Sequence, residues 1–343
     1  MAKIPDSVKK RFIVFSNYFD LINQGKVRDT YELSRPASNQ TKMLAQVASD
    51  RISIFDFVLN DFIPQKGEVL TALTHYWLTK VINGFHNHLI TDIDMPGYKL
   101  DGFDLKRTLF IKKIDIAPYE MVYRAHLGGS VYKDYLATSV VAGQRLPVGI
   151  KKWEKLPEPL FTPTTKEENG HDIPIDVSKF LADVGENVND AFKIIDTIRN
   201  AYAKAYQHAE KKGILILDTK IEAAFRKNGR VIIGDEIFTP DSSRFVDAED
   251  YAKAMAEGRD PKFYDKEVVR EWGRTVKTPF KKNGKQIIGI NNLDPGVKEH
   301  SDFVHSLSSP MEVKEETQKR YLKIFERITG VDLKTYQKAH LVH

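Results

Sequence analysis

Cysteine is absent from this chain of 343 residues. Its absence excludes disulfide bonds, a thiolate nucleophile and cysteine metal sites, and it fits the reducing cytoplasm, where we expect the protein to work. The apolar run Phe12–Phe15 is too short for a signal peptide, and no run approaches the length of a membrane span. The glycine-rich phosphate and dinucleotide loops and the HExxH and GxSxG motifs are also missing, so none of those four site types is present.

A strong excess of one charge is lacking as well, since 52 Lys and Arg against 47 Asp and Glu leave a net charge of +5. The basic residues are dispersed, with only short pairs such as Lys151-Lys152 and Lys281-Lys282. This distribution does not favour a nucleic-acid or membrane partner, whereas small anionic substrates would explain the mild positive bias. Nothing in the composition distinguishes a monomer from a dimer.

Hydrophobic periodicity predicts a mixture of helices and strands. Residues 12–33 are typical of strands joined by a turn at Gln24-Gly25, and residues 188–209 of a long amphipathic helix that Gly213 stops. A C-terminal helix is predicted to end at Gly330. Residues 143–175 are rich in proline and glycine and are interpreted as one long irregular segment, whereas residues 281–309 form a polar stretch without strong periodicity.

The segment with the clearest chemical signal is a predicted β-hairpin. The Asn-Gly pair within Lys227–Arg230 predicts a two-residue turn between two apolar strands. In that register Glu222 lies directly opposite Asp235, and Asp218 and Lys220 share its face because strand side chains alternate. Like charges placed opposite each other destabilise a sheet, so a cation or a phosphate-bound metal between them is one interpretation.

A solvated polar face on an edge hairpin is the alternative. The same register places Glu236 opposite Ile221, on the face that should be apolar. A β-bulge would repair this mismatch but would also shift the pairing. The pattern alone leaves both interpretations open.

Other short motifs combine glycines with cations. Gly25, Lys26 and Arg28 could cover nucleotide phosphates, or they could form an exposed basic hairpin. Arg124 and Ser130 flank a Gly-Gly pair that could present backbone N–H groups to an anion, although a simple strand-to-turn transition fits equally well.

Two polar loops raise similar alternatives. Lys166, His171 and Asp172 lie in one loop that is either functional or merely solvated. The segment Asp241–Arg244, which contains Ser242 and Ser243, offers an arginine suited to phosphate, and its alternative interpretation is a helix N-cap.

Taken in order, these motifs resemble the SAICAR synthetase family of purine biosynthesis. The matching segments are 25–32, 48–56, 63–67, 124–130, 156–166, 170–172, 218–222, 235–244 and 265–270. The chain departs from the family at Ala223-Ala224, where Phe-Gly is usual, and residues 281–309 look like an insertion. No expected charged residue is missing.

The resemblance implies an ATP-dependent carbon–nitrogen ligase that joins L-aspartate to the carboxylate of CAIR, giving SAICAR, ADP and phosphate through an acyl phosphate. It also implies a two-lobed α+β fold, with a small antiparallel β lobe (1–115) covering the nucleotide and a larger ATP-grasp-like lobe (116–343). The alternatives are a kinase-like phosphotransferase and a non-catalytic nucleotide-binding homologue.

The resemblance further implies roles for individual residues. The ATP site would comprise Gly25, Lys26, Arg28, Glu120, Asp218, Lys220 and Asp235. Magnesium would be held by Glu222, Asp235 and Asp218. The substrate site would comprise Asp50, Arg51, Arg124, Ser130, Lys166, His171, Asp172, Ser242, Ser243 and Arg244. Catalysis would depend on Lys220, Asp235 and Arg244.

Overall fold

The computed structural model describes residues 4–34, 42–91, 102–166, 173–184, 188–225 and 230–341. The strands are β1 (Phe19–Gln24), β2 (Arg28–Leu33), β3 (Met43–Ala48), β4 (Arg51–Ile54), β5 (Phe57–Phe62), β6 (Thr108–Lys112), β7 (Tyr119–His126), β8 (Val140–Val141), β9 (Gln144–Arg145), β10 (Lys155–Phe161), β11 (Thr164–Thr165), β12 (Ile214–Phe225), β13 (Val231–Gly234), β14 (Ser243–Asp247), β15 (Lys277–Lys282) and β16 (Lys285–Ile288). The α-helices are α1 (Asp6–Lys9), α2 (Lys66–Tyr76), α3 (Ser130–Thr138), α4 (Val177–Asp183), α5 (Val188–Glu210), α6 (Ala248–Glu257), α7 (Glu267–Thr275), α8 (Lys298–Ser306), α9 (Met311–Thr329) and α10 (Leu333–His340).

Two antiparallel sheets dominate the fold. The first has the strand order β1-β2-β3-β6, and the second follows the order β10-β7-β12-β13, with β11 pairing with β7 and β14 with β12. The long strand β12 pairs with β14 through its first half and with β13 through its last four residues. The predicted α+β class is confirmed.

The register of β12 differs by one residue from the prediction. Glu222 pairs with Gly234 instead of Asp235, so Asp235 lies just beyond the end of β13. Asp235 adopts a φ of 54°, in the left-handed region, which turns the chain out of the strand. The predicted turn at 227–229 lies outside the described residues.

Several predicted helix ends are confirmed. Helix α5 covers the predicted 188–209 segment, and α9 ends at Gly330, whose φ of 82° suits a glycine C-cap. The buried face of α5 packs against β12 and β7 within the main apolar core. Within the described residues, no helix combines the length and apolarity that crossing a membrane requires.

Residues 281–309 form regular elements although they lack strong periodicity. This stretch contains the end of β15, β16 and α8. Its residues Ile290, Leu293 and Val304 are buried in a second apolar cluster with Ile54 and Phe57 of the β4–β5 hairpin. A few apolar residues in this otherwise polar stretch pack it against the hairpin, although their spacing follows no regular period.

The two large sheets meet along a short connecting segment. His88 donates its backbone N–H to Ile233 of β13, and Lys112 of β6 donates its backbone N–H to His88. Ile116 forms a bridge with Ala224, which brings the end of the first sheet against β12. A cleft opens between the sheets at this junction. The lobe boundary at 115/116 stays a prediction.

Candidate active site

The cleft has a volume of about 1460 Å³ and is lined by residues from both sheets and from α7. Predicted site residues on its wall are Gly25, Lys26, Arg28, Glu120, Ser130, Lys166, Lys220, Glu222, Asp235 and Arg244. The fold thus brings together residues that are more than 200 positions apart in the chain.

A tight glycine turn between β1 and β2 forms one rim of the cleft. Gly25 donates its N–H to the carbonyl of Arg28 at 2.7 Å, and a Cβ at this position would lie 2.9 Å from that same oxygen. Any larger residue would therefore strain the turn. Lys26 on the turn pairs with Asp56 at 2.6 Å, so its ammonium group is held at the mouth of the cleft.

Neither Asp50 nor Arg51 lines the cleft in this structure, and their substrate contacts stay predictions. The Arg51 side chain is fully buried; it pairs with Asp29 at 2.5 Å and donates to the carbonyls of the Gly25 turn. Asp50 accepts from the N–H of Gly67 at 2.9 Å and pairs with Arg107 at 3.1 Å. Both residues hold the elements beneath the cleft wall.

Asp235 faces a cluster of positive charge. Arg28 donates to its carboxylate at 2.9 Å and also pairs with Glu236 at 3.1 Å. Burial opposes ionisation of Asp235, but the positive charges of Arg28 and Lys220 outweigh it and lower its pKa. The same carboxylates raise the pKa of Arg28 against the effect of burial. Asp235 is therefore ionised and Arg28 is charged.

A second charged cluster lies on β12 beside the first. Lys220 pairs with Glu120 and lies 3.8 Å from Glu222, which pairs with Lys166 at 2.5 Å. Burial lowers the pKa of Lys220, but Glu120 and Glu222 raise it by more, so the ammonium group stays protonated. Because Glu222 is buried at the cleft wall, a solvated edge-hairpin face does not describe this surface.

Asp218 is engaged by two arginines. Cross-strand register places it opposite Arg124 on β7 and Arg244 on β14, and it forms ion pairs with both. Neither Asp218 nor Arg124 lines the cleft in this structure, and their direct contacts with nucleotide, metal or substrate stay predictions. Arg244 does line it, and about a quarter (26%) of its side chain is exposed.

The two predicted substrate serines Ser242 and Ser243 are also internal. Ser242 bonds to Thr239, whereas the Ser243 hydroxyl lies 2.8 Å from that of Thr219. Neither serine lines the cleft in this structure, and their substrate contacts stay predictions. The alternative interpretation of a helix N-cap fails, since Ser243 begins β14.

Helix α7 contributes cleft residues to which no role was assigned from the sequence. Arg270 and Arg274 lie four residues apart on one face of the helix, and Lys266 directly precedes its first residue. Burial lowers the pKa of Lys266 to about 8, although Asp241 partly offsets this effect. The interval of four within an otherwise amphipathic segment was the signal that could have identified them.

Further cleft residues without an assigned role include Asp56, Lys133, Lys152, Trp153, Glu236, Asp241, Glu267 and Glu271. His171 and Asp172 lie outside the described residues. Within the described part of the chain, no group of three or more acidic or histidine side chains is arranged to hold a metal ion.

Comparison with known proteins places this geometry in context. The family model described as SAICAR synthetase matches residues 21–287. A phosphoribosylaminoimidazole-succinocarboxamide synthase of Thermodesulfovibrio yellowstonii is 38% identical over 318 residues, covering 90% of this chain and 95% of that protein. A synthase of the same name from Corynebacterium urealyticum is 36% identical over 313 residues, covering 91% and 94%.

One solved structure extends the similarity to the fold. It is described as SAICAR-synthase from Saccharomyces cerevisiae complexed with SAICAR, and it superposes with a TM-score of 0.70 at 29% identity. The match covers 92% of this chain and 96% of that one.

Proposed function

The chain belongs to the SAICAR synthetase family, and we propose on this basis that it joins L-aspartate to the carboxylate of CAIR, using ATP and giving SAICAR, ADP and phosphate. The observation that carries the proposal is the cleft between the sheets, where paired cations and carboxylates face one space large enough for a nucleotide and a ribotide. The proposed cellular location of the protein is the cytoplasm, where purine precursors and ATP are present.

The nucleotide is proposed to enter where the sheets meet. Leu44, Ile111, Ile114 and Ile116 form an apolar stretch of the wall that suits a purine base. The glycine turn with Lys26 then covers the phosphates. Arg28 and Lys220 lie further along the same wall, and Glu120 orients Lys220.

Mg²⁺ fits the carboxylates of this cleft only together with bound phosphate. Mg²⁺ is usually held by one or two carboxylates together with phosphate oxygens and waters. Glu222 and Asp235 supply two carboxylates, and both raise the pKa of Arg28 and of Lys220. Asp218, in contrast, forms ion pairs with Arg124 and Arg244. Bound there, the ion would neutralise negative charge on the ATP phosphates.

The acidic substrates are proposed to bind at the opposite end of the cleft. Arg244 lies beside Gly129 and Ser130 at the start of α3, a combination suited to a phosphate group. Further cationic groups for carboxylates are Lys166, Lys266 and the arginines of α7, which also pair with Glu267. His171 and Asp172 remain proposed substrate contacts.

The chemistry follows from this arrangement in two steps. The carboxylate of CAIR takes the γ-phosphoryl group of ATP, which forms an acyl phosphate and releases ADP. The amine of L-aspartate then attacks the acyl carbon; the carbon–nitrogen bond forms, the carbon–oxygen bond to phosphate breaks, and one proton is lost. Lys220 and Arg28 stabilise the charge that develops on the transferred group.

ADP release tests the proposal directly. The protein is supplied with ATP, Mg²⁺, CAIR and L-aspartate, and each component is omitted in turn. We expect SAICAR and ADP to form in equal amounts only when all are present. ADP release without CAIR would instead indicate a kinase-like phosphotransferase, and nucleotide binding without ADP release would indicate a non-catalytic homologue.

A further inference from the structure

Trp153 occupies a constrained position beside Arg244. Its backbone N–H donates to the carbonyl of Leu127 at 2.7 Å, just beyond the end of β7, and its φ is 64°. The indole ring lies directly over Gly128, where even a Cβ would overlap it. Because a left-handed φ is unfavourable for a bulky residue, this placement has to be imposed by its surroundings.

Several contacts impose that placement. The indole N–H donates to Asp260 at 2.9 Å, and Lys152 holds the same carboxylate at 2.6 Å. The ring of Phe263 packs against the indole edge at 5.2 Å, and the Tyr251 hydroxyl donates to the Trp153 carbonyl at 2.9 Å. The ring is thus oriented by polar contacts as well as by packing.

The face of this ring meets the guanidinium group of Arg244, whose Cζ lies 5.5 Å from the ring centroid. Tryptophan is the most favourable ring for a cation–π contact, and arginine is the cation most often found in one. Asp218 binds one nitrogen of the same guanidinium, and Gly129 lies so close that a Cβ there would be 3.2 Å from Nη1. Trp153, Asp218 and Gly129 therefore fix the guanidinium from three sides.

We propose that Trp153 is a positioning residue for the anionic end of the ribotide substrate, because its indole face holds Arg244 against Asp218 and leaves the rest of the guanidinium directed to the start of α3. This inference rests on the proposed function, since it assumes that the group bound by Arg244, Gly129 and Ser130 is the phosphate of CAIR. Trp153 acts through Arg244 and takes no part in the phosphoryl transfer.

Two substitutions distinguish the contribution of the Trp153 ring from that of its hydrogen bond to Asp260. Trp153→Leu removes the aromatic face, and we expect the KM for CAIR to rise about 2- to 30-fold, the range that a cation–π contact supports. Trp153→Phe keeps a smaller aromatic face but loses the bond to Asp260, so its KM for CAIR should lie between those of Trp153→Leu and the wild type. The KM for ATP and the kcat should change less than twofold in both variants.

Binding measured without turnover supplies an independent readout. Calorimetry with CAIR alone should show the same order of affinities, and CAIR should quench the tryptophan fluorescence of the wild type more than that of Trp153→Phe. Trp272→Phe is the matched control, because Trp272 packs in the second apolar cluster and does not line the cleft. Its CAIR affinity should equal that of the wild type.

The outcomes are distinguishable. If the wild type neither binds CAIR nor consumes ATP with it, the proposed function fails. If the wild type does both and folded Trp153→Leu and Trp153→Phe bind CAIR with unchanged affinity, only the positioning role is overturned. Equal increases in the KM values of all three substrates would mean that Trp153 supports the fold in general, which would also contradict the proposal.

Discussion

Charges in the cleft come as preformed clusters of opposite sign. Arg28 contacts both Asp235 and Glu236, and Lys220 lies between Glu120 and Glu222. Each cation is held in place by its carboxylates before any ligand arrives, which reduces the reorganisation needed when phosphate charge develops. The carboxylates remain at the wall, where a phosphate-bound cation would compensate their charge.

Asp235→Asn removes a negative charge from the cleft but keeps the shape of the side chain. We expect kcat for ADP release to fall at least about 100-fold, because one carboxylate beside Arg28 and Lys220 is lost. The amide can still accept from Arg28, so the melting temperature should change little. Asp196→Asn on the exposed face of α5 is the control and should retain full activity. A normal rate for Asp235→Asn would contradict the assigned role.

The low pKa of Lys266 predicts a pH dependence. Burial lowers this pKa to about 8, so the protonated fraction falls about tenfold between pH 7 and pH 9. If Lys266 binds a substrate carboxylate or phosphate, the KM for that substrate should rise about tenfold over this interval. The rise should be absent in Lys266→Arg, since guanidinium stays protonated.

Steady-state kinetics at pH 7, 8 and 9 with varied CAIR and varied L-aspartate would check this expectation. Comparing the two proteins cancels the titration of the substrates themselves. Identical pH profiles for wild type and Lys266→Arg would show that Lys266 does not hold either acidic substrate.

At the scale of secondary-structure elements, Asp50 shows that a charged residue of a motif can stabilise the fold, since it holds the start of α2. Asp50 accepts a hydrogen bond from Gly67 in the first turn of α2, where backbone N–H groups have no partner within the helix. Gly67 itself has no room for a Cβ, because the carbonyl of Ala48 fills that space. The packing of α2 against β3 therefore depends on Asp50 and Gly67.

Asp50→Ala should lower stability without impairing substrate binding. We expect the free energy of unfolding to fall by about 1–3 kcal/mol, because a capping bond and the partner of Arg107 are removed together. Urea denaturation measures this loss, and the KM values for ATP and CAIR should change less than twofold. Asp104→Ala, which removes a more exposed partner of Arg107, should cost less than about 1 kcal/mol. A large rise in KM for Asp50→Ala would instead support Asp50 as a substrate contact.

For the molecule as a whole, the C-terminal third braces the cleft. The second apolar cluster joins β4 and β5 to α7 and to residues 290–304. Asp61 of β5 is buried, accepts from the N–H of Ser309 at 2.6 Å and pairs with Lys314 of α9 at 2.6 Å. The tip of the same hairpin carries Phe55 and Asp56, which line the cleft. The stretch at 281–309 is thus part of the scaffold behind the site.

Ile290→Ala should test this role. Ile290 is fully buried, so its truncation is expected to lower the free energy of unfolding by about 2–5 kcal/mol. Ile288→Ala is the matched control, because Ile288 is 51% exposed on β16 and should change stability by less than about 0.5 kcal/mol. Denaturant titrations of both variants give the comparison. Equal stabilities would mean that 281–309 is an appendage without a structural function.

The sequence by itself determined the local structure and the family. Helix α5, the glycine end of α9 and the strands around the Gly25 turn followed from periodicity and from glycine placement, which depend on neighbouring residues only. The ordered motifs identified the family, and most of their charged residues do line the cleft.

Only the tertiary structure decided which charged residues reach the ligand space. Glu222 pairs with Gly234 and not with Asp235, and Asp218 is enclosed by arginines from two other strands. Arg51 reads as a candidate ligand contact, yet it is fully buried beneath the Gly25 turn. A charged side chain looks the same in a sequence whether it binds a ligand or a neighbouring strand. The difference depends on partners tens to hundreds of residues away, and only the packed fold brings those partners together.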